Sequence, residues 1–106
     1  MKATSECKVV TQYHSAGEMV YELDCAEVSL EVRVSSQSVG RGERSWHVSA
    51  QQRLDPDAAV VTDFAETKSS ALTKVAERWS EQATELGLPS LDWKLVAAAL
   101  LAVRGI

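Results

Sequence analysis

At 106 residues, with 45% apolar and 25% charged side chains, the chain has the size and balance of one globular domain. This excludes a disordered polymer and a pair of separate cores. A net charge of −4 argues against a dedicated duplex-DNA binder, which needs a basic footprint. The longest apolar run, Leu95 to Val103, is too short for a membrane span of about 20 residues.

Met1 to Glu6 carries no apolar signal region, and two cysteines without a spacing framework do not mark a stapled secreted domain. The expectation is a cytoplasmic protein with reduced thiols. Along the chain, a β-rich part spanning about 7–65 precedes two helices, about 68–86 and 92–104. The fold class expected is α+β: an antiparallel β-meander of four or five strands with two C-terminal helices packed on one face.

In the first hairpin, Cys7, Val9, Thr11 and Tyr13 alternate with Lys8, Val10, Gln12 and His14. A three-residue loop centred on Ala16 and ending in Gly17 would place Tyr13 opposite Met19, Thr11 opposite Tyr21, Val9 opposite Leu23 and Cys7 opposite Cys25. Ser15-x-x-Glu18 is also a capping-box pattern, so residues 15–26 have a short helix as a rival. The β-branched and aromatic content favours the hairpin.

Val28, Leu30, Val32 and Val34 then alternate with Ser29, Glu31, Arg33 and Ser35. The apolar phase changes across Ala26-Glu27, which reads as a tight turn or, by slight preference, a bulge in one bent strand. Residues 37–43 are expected to be a loop. Folding about Gly40 would set Val34 opposite Trp46, Val32 opposite Val48 and Leu30 opposite Ala50, all facing the helices, with Glu31, Arg33, His47 and Gln51 facing away. Leu54-Asp55-Pro56-Asp57 is a turn, and Val60, Val61 and Phe64 make a last strand.

Thr67 suits the cap of a helix to about Leu86, with Leu72, Val75, Ala76, Trp79, Ala83 and Leu86 as its apolar stripe and Gly87 ending it. Ser90 or Asp92 caps a second helix from Trp93 to about Arg104. That helix is apolar most of the way round, so it is enclosed by the domain or covered by a partner.

Cys7 and Cys25 face each other but lack a Cys-x-x-Cys motif or further ligands, and read as small apolar residues on a sheet face. His14 and His47 have no nucleophile motif beside them. Gly40-Arg41-Gly42 joins two strands, whereas a phosphate loop opens a helix. Trp46, Trp79 and Trp93 read as anchors between the layers in preference to a ligand pocket.

The charges are segregated: 33–53 holds Arg33, Arg41, Arg44 and Arg53 against Glu43 alone, whereas Glu18, Glu22, Asp24, Glu27 and Glu31 occur with no basic residue among them. Cross-strand pairing accounts for this pattern; the functional alternative is a basic patch of Arg33, Arg41, Arg44, His47 and Arg53. The function expected is a non-enzymatic interaction or structural domain, a homodimer joined through Ala97, Ala98 and Leu101, with no cofactor, metal or membrane contact. Another protein partner is compatible with this. The alternative is a nucleic-acid-binding module using the basic hairpin. A small-ligand binder or enzyme with a pocket between sheet and helices ranks third.

Overall fold

The computed structural model describes residues 7–25 and 28–103; Met1–Glu6, the phase change at Ala26-Glu27 and the helix end at Arg104 lie outside them. Five antiparallel strands, β1 (Cys7–Ser15), β2 (Glu18–Cys25), β3 (Val28–Gly40), β4 (Glu43–Gln52) and β5 (Val61–Ala65), lie in the order β1-β2-β3-β4-β5. Helices α1 (Lys68–Leu86) and α2 (Trp93–Ala102) follow. The chain is therefore an α+β meander with C-terminal helices, as its patterning requires. Among the described residues, no helix is long and apolar enough to cross a membrane.

The rival short helix over 15–26 does not form at residues 15–25. Ser15 pairs with Glu18 around Ala16-Gly17, and both turn residues have positive φ, 52° and 82°. This is the two-residue turn whose twist suits a hairpin, one residue shorter than expected. The register is therefore offset by one near the turn: Tyr13 faces Val20 and His14 faces Met19. A bulge at Val10 absorbs the offset, so Val9 faces Leu23 and Cys7 faces Cys25, as the apolar pattern demands. Ala16 holds a left-handed conformation that its Cβ disfavours. Ala16→Asn should therefore raise stability by about 0.5–1 kcal/mol. An unchanged or lower midpoint in urea would contradict the turn.

Cys25 pairs with Val28, so the chain reverses between them. The bulged single strand preferred from the sequence is replaced by a hairpin. Residues 37–40 belong to β3, not to a loop, because the second turn closes at Arg41-Gly42 and Val39 is bulged. Val34 consequently pairs with Val48, Val32 with Ala50, and Ser36 with Trp46. The register is displaced by two residues, and an even displacement leaves every side chain on its expected face.

That face carries the core. Leu23, Leu30, Val32, Val48, Ala50 and Val61 are buried against Ala71, Leu72, Val75 and Trp79 of α1 and Val96 and Leu100 of α2. Val32 has no solvent exposure, and Val32→Ala should cost about 1–3 kcal/mol; a neutral midpoint in denaturant would show the face to be open. The Thr67 hydroxyl accepts from Ser70 N at 3.1 Å to start α1. Gly87, at φ 69°, ends it, and Leu88 N donates to Ala83 O at 2.8 Å. In the turn before β5, Asp57 N donates to Asp55 Oδ1 at 3.0 Å.

Helix α1 lies over β4 and β5, whereas α2 crosses back over β1 and β2. Arg78 of α1 donates to Asp63 of β5 at 2.7 Å. The Arg78 hydrogen bond, then the Phe64 backbone N–H, hold the Asp63 carboxyl below its ordinary range. The contribution of this pair is fully present above the ordinary carboxylate range and is lost as pH falls from that range through the lowered value.

Cys7 and Cys25, expected as separate thiols, are joined by a disulfide with Cα atoms 4.0 Å apart. Directly opposed residues of antiparallel strands already sit at nearly this separation, so the register brings the sulfurs together. Cys25 is buried and Cys7 half-buried.

Candidate functional site

The uncovered face of the sheet gathers the two oppositely charged stretches of the sequence. Glu22 lies directly opposite Glu31, a like-charge pair that is unfavourable unless cations intervene. Arg33 intervenes on one side, with Nε 2.5 Å from Glu31 and Nη1 3.1 Å from Glu18. Hydrogen bonds to Glu31 and then Glu18 raise its pKa above the usual guanidinium value. Arg53 intervenes on the other, 3.8 Å from Glu22 and 3.9 Å from Asp24. These pairs are part-exposed and each is worth under ~1 kcal/mol. They occupy the cations that a phosphate backbone would need.

The other members of the basic patch are dispersed. Arg41 sits in the exposed turn at the tip of the β3–β4 ribbon. Arg44 shares the helix-side phase of Trp46 and donates to Ser36 Oγ at 3.0 Å. His47 is on the open face, its ring 4.6 Å from that of Phe64. The Thr62 hydroxyl lies within hydrogen-bond reach of both His47 Nε2 and Val48 O. The structure thus brings Arg33, His47 and Arg53 to one face, two of them already paired, and places Arg41 and Arg44 elsewhere.

The residues assigned to self-association lie on α2, whose cap Asp92 accepts from Lys94 N at 3.1 Å. Val96 and Leu100 are fully buried and Ala97 packs against the core. Ala98, Leu101 and Ala102 are exposed, Leu101 by 62%. Of the three residues named from the sequence, Ala98 and Leu101 therefore face outward and Ala97 faces inward.

Among the described residues, two of the concavities border the sheet. The larger, of 810 Å³, lies beside the end of β5 and the start of α1, where Arg44 and Lys74 are matched by Glu43 and Glu66. The smaller, of 310 Å³, lies on the helix side at the end of the sheet opposite the disulfide. Its lining includes Gln12, His14, Met19, Tyr21, Trp46 and Lys68. Lys68 Nζ stands 5.1 Å from the centre of the Trp46 ring, and Gln12 Nε2 reaches Met19 Sδ at 4.0 Å. Burial raises the pKa of the Tyr21 hydroxyl.

Sequence reasoning missed this cleft because strict alternation sends Gln12 and His14 to the other face. The bulge at Val10 reverses their phase, and the adjacent apolar pair Val9-Val10 was the available signal. Among the described residues, no group of three or more histidine, cysteine or acidic side chains could hold a metal ion.

Comparison with protein-family models, curated proteins and solved structures finds no match. The function must be read from the geometry itself.

Proposed function

We propose that this domain is a non-enzymatic interaction module whose partner is a second copy of itself, docked through α2. The observation that carries this reading is the outward stripe of Ala98, Leu101 and Ala102, with Leu101 62% exposed. From Leu95 to Val103 there is no charged or polar side chain, although Ala98, Leu101 and Ala102 face solvent. Surface helices ordinarily carry polar residues there.

A two-fold contact places the same stripe on both sides, and the small alanines allow close approach around Leu101. A ten-residue helix is only ~15 Å long, and a stable dimer buries about 800 Å² per partner. The contact must therefore extend to neighbouring surface. Helix α2 lies over β1, an edge strand, where Val10 is 46% exposed. This border supplies the additional apolar area.

Light scattering at micromolar concentration should report twice the monomer mass. Leu101→Lys should halve it while leaving the circular dichroism spectrum unchanged, because Leu101 is outside the core. A monomeric wild type would overturn the proposal, as would a dimer indifferent to Leu101→Lys.

A further inference from the structure

We propose that the Cys7–Cys25 bridge is a redox latch on self-association: closed, it holds the floor beneath α2, and reduced, it releases that floor. The inference rests on the docking of α2 against a second copy and adds what regulates it.

The latch follows from how little ties β1 to the domain. Within this strand, Cys7 and Val9 are half-buried and the other residues are exposed. Both pack against the core, so β1 enters the core through two neighbouring helix-side positions, one of them a bridge cysteine. β1 is also an edge strand, and the bulge at Val10 shifts its pairing with β2 just beyond those positions. Segments with few buried contacts are the first to open locally. The bridge joins Cys7 to its cross-strand partner Cys25, which is 4% exposed, and so closes the hairpin at the end opposite the Ala16-Gly17 turn.

Helix α2 depends on that end. It lies over β1 and β2, and the half-buried part of β1 is the stretch from Cys7 to Val9. Fraying there loosens the helix that presents Leu101. A surface not held in one orientation loses affinity to the cost of ordering it on docking.

The chemistry is thiol–disulfide exchange. The thiolate of a reductant attacks Sγ of Cys7, the partly exposed member, and the S–S bond breaks to release the Cys25 thiolate, which takes up a proton. A second reductant thiolate attacks the reductant sulfur of this mixed disulfide and frees Cys7, which is protonated in turn. Two electrons and two protons pass to the protein, and the reductant leaves as its own disulfide. Coupling of this kind is reciprocal, so dimerisation protects the bridge by the factor by which the bridge tightens the dimer.

Light scattering over a dilution series, with and without dithiothreitol, should give a dimer about tenfold weaker after reduction. Cys7→Ala/Cys25→Ala should share the weaker value and ignore the reductant. In Leu101→Lys, where the latch is read without the dimer, reduction should speed hydrogen exchange in β1 and α2 and leave β3 and β4 unchanged. A dimer equally tight in both states, or α2 exchange indifferent to reduction, would overturn the latch alone. A wild type monomeric in both states would overturn self-association, and with it this role of the bridge, even where the exchange response is present.

Discussion

Reduction of the Cys7–Cys25 bridge should lower the melting temperature by about 12–24 °C. The bridge spans 18 residues, and closing a loop of about 15 residues is worth ~3 kcal/mol. For a domain of this size each kcal/mol moves the midpoint by ~4–8 °C. The effect should fall mainly on β1, because this strand has a neighbour on one side only and is exposed from Val10 to Ser15. The turn at Ala16-Gly17 holds one end of the hairpin and the bridge holds the other. Thermal scans with and without a thiol reductant test this, with the double variant Cys7→Ala/Cys25→Ala as control. Superimposable scans would mean that the bridge does not form in solution. In a reducing cytoplasm the pair would rest as a dithiol, and the domain would have only the lower of the two stabilities.

Replacing Trp79 should be the most damaging point substitution, and the chemistry of its ring edge separates it from Trp93. Trp79 is 1% exposed, and its Nε1–H donates to Pro89 O at 2.8 Å. It thereby ties α1 to the segment leading into α2. Trp79→Ala should cost about 3–5 kcal/mol. Trp79→Phe should cost less, but it leaves the Pro89 carbonyl without this partner. Trp93 packs edge-on against Trp79 at 5.6 Å, and its buried Nε1 has no hydrogen-bond partner. Trp93→Phe removes an unsatisfied donor and should be closer to neutral. Urea midpoints for the three variants rank the outcomes. A Trp93→Phe loss as large as that of Trp79→Phe would show that ring volume, not the hydrogen bond, distinguishes the two sites.

The helices were legible in the sequence because their signals are local. Thr67, Gly87 and Asp92 act within one turn of the backbone, and the structure uses all three as caps. Strand faces were legible for a similar reason. The alternation from Val28 to Val34 and from Trp46 to Ala50 survives a register displacement of two. Turn closures were harder, because Ala16 and Arg41 occupy left-handed positions usually held by Gly or Asn. Nothing in either side chain announces that conformation. The small cleft was illegible for a compound reason: it depends on a bulge, which depends on the turn, and it draws on four strands and the start of α1. The acidic and basic stretches were legible only as a contrast. Their meeting as ion pairs on one face follows from a register that the sequence brought close without specifying.

The meander order also has a consequence for the chain as it is made. Each strand pairs with the one synthesised just before it, so the sheet can assemble during translation with little loop closure. Its lids come last: α1 emerges only after all five strands, and α2 after that. Until then Leu23, Leu30, Val32 and Val48 would form an apolar plane open to water. Newly made protein is therefore most prone to aggregate in the interval between the release of β5 and the docking of α2.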